Sequence, residues 1–184
     1  MNLLAVSGSL RAASINSSLL RAAARLAAPG MTVSVFEGLG ELPLFNPDRE
    51  ADPPAAVGTF RSRVALADAL LIASPEYAHG ISGPLKNALD WLVGFEPFAG
   101  KRVAVLNASP RAHHADEALR EVLGTMSAFV VEPASITLPL LGAGLDEDGM
   151  AATPPIALAI QDALSALREA VLLQRSATDA SFPL

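Results

Sequence analysis

The chain has 184 residues, 51% of them hydrophobic and 17% charged, with a formal net charge of −6. That length suits a single domain spanning residues 1–184, and the apolar content excludes disorder. The acidic balance excludes nucleic acid and membrane surfaces as partners, and the absence of cysteine removes disulfides, thiolate nucleophiles and Cys-held metals, so any redox chemistry is expected from a borrowed cofactor.

The first apolar run, Leu3-Leu4-Ala5-Val6, has no basic flank before it and turns polar at Ser7, unlike a signal peptide. No stretch approaches the ~20 apolar residues of a membrane span, and a cytoplasmic location is expected. Residues 3–7 read as a strand. Ile15, Leu19, Ala22 and Leu26 then form a helical stripe that stops at Pro29-Gly30. A second strand is expected over 32–36, followed by a weaker helix marked by Val57, Phe60 and Val64. The third strand covers 69–74. Leu85, Ala88, Leu89 and Leu92 follow it at helical spacing, opened by Gly83-Pro84 and closed by Gly94. The fourth strand covers 102–107, and Leu119, Val122, Leu123 and Met126 mark the next helix. A fifth strand is expected over roughly 129–138. Ile156, Ile160, Leu164, Leu167 and Val171 mark a long final helix. From Ser176 the periodicity lapses, which suggests a tail that is loose or crosses to a partner.

Five strands alternating with five helices predict a parallel sheet covered on both faces, since the first, third and fourth strands are nearly continuous in apolar residues. Doubly wound sheets of this kind bind ligands at the carboxyl ends of their strands. Function is therefore sought in residues 7–18, 37–54, 74–84, 107–116 and 139–153.

The first of these loops reads Gly8-Ser9-Leu10-Arg11-Ala12-Ala13-Ser14-Ile15-Asn16-Ser17-Ser18. It joins a buried strand to a helix N-terminus, where unpaired N–H groups and a partial positive charge favour an anion. Ser9, Ser14, Ser17 and Ser18 add hydroxyls, Asn16 an amide and Arg11 a planar fork. The set suits a phosphomonoester; a serine-rich helix cap with a solvated arginine is the rival reading. The glycine spacings of the triphosphate and dinucleotide loops are absent.

After the third strand comes Pro75-Glu76-Tyr77-Ala78-His79-Gly80, which holds the one tyrosine of the chain. A planar ligand fits against Tyr77, with the N–H groups of residues 77–80 aimed at its polar edge. Together the two segments resemble the NADPH-dependent FMN reductase family of flavodoxin-like proteins. That family pairs a G-S-x-R-x-x-S-x-N loop with P-E-Y-N and a following L-K-N-A-[IL]-D-W. Here they stand as Gly8 to Asn16, Pro75 to Tyr77, and Leu85 to Trp91, and Leu42 to Asp48 (LPLFNPD) is similar to the segment after the second strand. The family's asparagine after P-E-Y is Ala78, and residues 108–114 carry Ser109, Pro110, Arg111, His113 and His114 where the family often has glycines.

The resemblance implies a flavodoxin-like three-layer sandwich with a five-stranded parallel sheet in the order 2-1-3-4-5. It implies FMN held at its phosphate by Ser9, Arg11, Ser14, Asn16 and Ser17, and at its ring by Pro75, Glu76, Tyr77, Ala78, His79 and Gly80, with Ser109 completing the set. NADPH or NADH would donate hydride and a diffusible small-molecule acceptor (a quinone, an azo compound or free flavin) would receive it, in a homodimer or homotetramer. Flavin carries such chemistry, so no catalytic side chain and no metal is expected. Two alternatives stand beside this: a flavodoxin-type single-electron carrier, and a relic of the fold that binds phosphate or a partner without flavin.

Other tempting residues have simpler accounts. His113-His114 beside Asp116-Glu117 suggests a solvated helix start rather than a metal site, because adjacent helical side chains diverge. His79 is either a substrate contact or a solvated loop residue. Glu76 is expected to fix its loop, Lys86 and Asp90 to pair at i,i+4, and Trp91 to pack or meet a second subunit. Asp146 to Gly149 reads as an acidic turn. Arg111 and Arg49 are the two candidates for a 2′-phosphate.

Overall fold

The computed structural model describes residues 1–180, with side chains to residue 177. Its sheet is built from β1 (Asn2–Ser7), β2 (Thr32–Val35), β3 (Ala69–Ala73), β6 (Arg102–Asn107) and the short β7 (Phe129–Val130) and β8 (Ile136–Thr137). All pair in parallel, in the order β2-β1-β3-β6-β7, with β8 continuing alongside β6 beyond β7. This is the expected order and the flavodoxin-like class, with one difference in strand count. The fifth strand is split in two by a 3-10 turn over Glu132–Ala134. Pro133 lies in that turn and has no N–H for a ladder, which is why pairing stops at Val131 and resumes at Ile136.

Alternate residues of each strand feed two cores. Leu3, Ala5, Ala69, Leu71, Ala73, Ala104 and Leu106 face α1 (Ile15–Leu26) and α6 (Pro154–Ala180). Leu4, Val6, Leu70, Ile72, Val103 and Val105 face α2 (Ala55–Leu66), α3 (Gly83–Asp90) and α4 (His113–Thr125). The α1 side is rich in alanine on both surfaces, with Ala22 and Ala23 wholly buried. Small residues let helix and sheet approach closely, and density rather than side-chain bulk fills that layer. Each buried leucine contributes on the order of 1.5–3 kcal/mol by leaving water.

Asp146 accepts the Gly149 N–H at 2.8 Å and caps α5 (Glu147–Ala152), so the acidic turn of the sequence opens a short helix. Arg21 of α1 forks Glu147 at 3.1 and 3.3 Å and fastens α5 to the sandwich. Helix α6 runs through Ser176 to Ala180, five residues past the point where its apolar period lapses. The rest of the tail, 181–184, lies outside the described residues.

Candidate active site

The carboxyl ends of β1, β3 and β6 open into one cleft of about 350 Å³. Its wall from the first loop is Ser9, Arg11, Ser14 and Asn16; from the third, Pro75, Glu76 and Tyr77; from the fourth, Ser109 and Arg111. Eight of the twelve residues expected at a flavin site therefore share one wall. Ser17 lines an adjoining groove, while Ala78, His79 and Gly80 sit beyond the cleft wall on a hairpin.

Close tethering of three loops produces this convergence. The Gly8 N–H donates to the Ala73 carbonyl at 2.7 Å, extending the β1–β3 ladder into the loop. Its own carbonyl accepts the Ser82 hydroxyl at 2.6 Å, and Ser82 in turn caps α3 through the Leu85 N–H. A Cβ on residue 8 would stand 2.8 Å from Ser82 Oγ and 2.9 Å from Ser74 Oγ, closer than such atoms tolerate. Glycine is required there for approach, not for an unusual φ.

Ser14 caps α1, accepting the Ser17 N–H at 3.4 Å. The Ser17 and Ser7 hydroxyls share a bond of 2.8 Å beneath the loop, and Ser9 Oγ accepts the Arg11 N–H. Ser18, grouped with these serines by sequence, accepts instead from Arg21 at 3.1 Å and supports the α5 clamp. Asn16 is buried, and its Oδ1 has no partner among the described residues. The Arg11 side chain is exposed and joins none of the ion pairs among the described residues.

Beyond Pro75 the chain makes a tight antiparallel hairpin, β4 (Glu76–Tyr77) and β5 (Gly80–Ile81). Ala78 and His79 form its turn with φ of 49° and 59°, the paired left-handed conformations of a type I′ turn. Asparagine or glycine usually takes the first of these positions, so Ala78 carries strain that the family's asparagine would relieve. The hairpin was not anticipated, because Ala-His carries no turn signal.

Glu76 fixes this hairpin to α4. Its carboxylate accepts the Ala115 N–H at 2.9 Å, capping a helix whose own Ala112 offers no side-chain cap. That bond holds the Glu76 carboxyl below the usual glutamate range, with smaller help from the charges of His114, His79 and His113. His79 stacks on His114 at 4.4 Å and His113 lies against His114 at 4.0 Å, which gathers all three histidines of the chain between the hairpin turn and the start of α4. No group of three side chains suited to a metal ion occurs among the described residues.

Asn107, at the end of β6, accepts the Ser109 N–H at 3.0 Å and donates to the Ala112 carbonyl at 3.2 Å, so it shapes the fourth loop from within. An amide ending an otherwise apolar strand was the one available signal for it. The segment Leu42 to Asp48 is held by α3. Asn87 accepts the Phe45 N–H at 2.8 Å and donates to the Pro43 carbonyl at 3.0 Å, and Trp91 Nε1 donates to the same carbonyl at 2.8 Å. Trp91 is fully buried, which settles its role as packing rather than a subunit contact. Lys86 and Asp90 pair as their spacing predicts.

A family model described as NADPH-dependent FMN reductase matches residues 1–140. The chain belongs to this family. Among curated relatives, an NAD(P)H-dependent FMN reductase of Pseudomonas aeruginosa is 45% identical over 112 residues, covering 59% of this chain and 60% of that protein. A quinone reductase of Pseudomonas putida is 41% identical over 113 residues, covering 58% of this chain and 59% of that one. The chain thus spans about three-fifths of the length of these relatives. Among solved structures, FerB, a flavoenzyme NAD(P)H:(acceptor) oxidoreductase from Paracoccus denitrificans, superposes with a TM-score of 0.79 at 27% identity, covering 92% of this chain and 96% of FerB. No helix among the described residues is long and apolar enough to cross a membrane.

The residues of this family member fit FMN. The Ser9 and Ser14 hydroxyls, which accept within the loop and keep their protons to donate, and the unpaired Arg11 guanidinium could meet a phosphate's need for donors. The orphaned Asn16 Oδ1 is an acceptor that a ribityl hydroxyl could satisfy.

Proposed function

We propose that the chain, acting as one domain over residues 1–184, is an FMN-dependent NAD(P)H oxidoreductase. It would serve diffusible acceptors of the quinone, azo or free-flavin kind. The observation that carries this reading is the meeting of the serine–arginine loop and the Pro75–Tyr77 segment on one cleft at the carboxyl ends of β1, β3 and β6.

FMN held in this cleft would supply the two-electron chemistry between a reduced nicotinamide and the acceptor. Arg11, Ser9, Ser14 and Asn16 would anchor the phosphate end, Arg11 alone opposing its charge, with Ser17 steadying the loop through Ser7. Pro75, Glu76, Tyr77 and Ser109 wall the other end of the cleft. Ala78, His79 and Gly80 act from outside the wall, by holding the hairpin that carries Tyr77. Tyr77 is 58% exposed at the mouth, where a nicotinamide and then an acceptor take turns against an open face. Pairing of copies into a homodimer or homotetramer belongs to the same proposal.

The test is the anaerobic visible spectrum of FMN-reconstituted, desalted protein before and after NADPH. Flavin that is retained and promptly bleached supports the reading. Loss of all flavin on desalting overturns it.

A further inference from the structure

Resting on that reading of the cleft, we propose that Arg111 determines donor selectivity by binding the 2′-phosphate of NADPH, which NADH lacks. Arg111 lies between β6 and α4 and lines the same cleft as Ser9 and Tyr77. Its backbone is pinned on both sides. The Arg111 N–H donates to Ser109 Oγ at 3.2 Å, the Ala112 N–H donates to the Ser109 carbonyl at 3.0 Å, and Asn107 holds the Ala112 carbonyl. A guanidinium on a fixed base loses less freedom when it binds.

That guanidinium is free. Arg21, Arg25, Arg61, Arg120 and Arg175 all carry ion pairs, and Arg111 has none among the described residues. The one carboxylate on the cleft wall, Glu76, is already engaged by the Ala115 N–H. The flavin phosphate has its own arginine in Arg11, so a second, unneutralised arginine on the same wall implies a second anion.

The donor's dimensions and the surrounding charge indicate which anion. A nicotinamide dinucleotide is longer than a cleft of about 350 Å³ can hold beside a flavin ring, so its adenosine end must leave across the rim. One exit is the neighbouring groove between α1 and α5, of about 600 Å³, where Arg11 and Arg21 face Asp146 and Glu147. Arg21 is already taken by Glu147 and Arg11 by the flavin phosphate in this reading, so no cation is left there for a second phosphate. The adjoining groove beside Ser17 sets Glu37 and Glu41 beside the same two arginines, and a third exit passes Arg111. A planar fork there grips a phosphomonoester in two bonds and gains little from a ribose hydroxyl.

Two measurements decide. The first titrates adenosine 2′,5′-bisphosphate and 5′-AMP into wild type, Arg111→Ala and Arg111→Lys by calorimetry. The second compares kcat/KM for NADPH and NADH in the FMN-loaded forms, with Arg49→Ala as the control, because Arg49 is exposed and lines none of the grooves around the cleft. Wild type should bind the bisphosphate over AMP and favour NADPH. Arg111→Ala should cut both preferences by about ten- to a hundredfold, Arg111→Lys by less, and Arg49→Ala should leave them unchanged. A donor ratio or bisphosphate affinity unchanged in Arg111→Ala overturns the assignment, as does a wild type that favours NADH. Failure of the flavin reading shows separately, as a desalted protein without its visible spectrum, while the bisphosphate titration still reports on Arg111.

Discussion

The carboxylate of Glu76 accepts the N–H of Ala115 at 2.9 Å, so the hairpin beside the cleft caps a helix 39 residues further along the chain. Its lowered pKa fixes the sign of a pH effect. A carboxyl whose folded value lies below its ordinary 4.5 stabilises the fold above that value, and loses the contribution as pH falls through the lowered one. Glu76→Gln should therefore melt below wild type at neutral pH, with the gap closing under more acidic conditions as the wild-type carboxyl takes up its proton. Thermal melts over a pH series give the comparison; a gap constant with pH would show that the cap does not depend on charge.

Gly8 bears on stability through the space it leaves. Gly8→Ala places a methyl within 3 Å of two serine hydroxyls and 3.2 Å from Leu85 Cβ, in a junction where three loops are already bonded. Overpacking of this kind costs about 1–3 kcal/mol. Denaturant unfolding should show that loss with an unchanged m-value, and a neutral result would mean that the loops part easily.

Ala78 offers a gain. With φ at 49°, replacement by glycine or asparagine removes left-handed strain worth about 1 kcal/mol. Both variants should unfold at higher denaturant concentration than wild type. Ala78→Val should do the opposite, since a β-branched side chain tolerates that region least.

Arg11 separates phosphate recognition from ring recognition. Arg11→Ala should weaken FMN by about ten- to a hundredfold while leaving riboflavin, which has no phosphate, close to its wild-type affinity. Fluorescence titration with the two flavins gives both numbers. Equal losses for both would move Arg11 away from the phosphate.

Much of this was legible before any coordinates. Strands buried on both faces read as unbroken apolar runs, so β1, β3 and β6 followed from the runs around Leu3, Leu70 and Val103 between amphipathic helices, while their order came from the family resemblance. The serine–arginine loop was legible because its chemistry lies in consecutive residues. What escaped depends on partners distant in sequence. Ser82 looks like an ordinary cap until its hydroxyl is found on the Gly8 carbonyl, 74 residues away. The histidines lie on two elements, and nothing local to His79 announces His114. Apolar continuity carried the fifth strand through Glu132-Pro133, although the proline there was a warning that outranks periodicity.

The clasp of Asn87 and Trp91 on Pro43 and Phe45 has a consequence for how this architecture can change over time and in the laboratory. Two stretches that look like separate signatures are a lock and its key, joined by the side chains of Asn87 and Trp91 on one side and by backbone groups of Pro43 and Phe45 on the other. A chimera that imports residues 42–48 from a relative should keep its shape only if positions 87 and 91 arrive with it. The inherited unit at this corner of the molecule is the pair, not either motif.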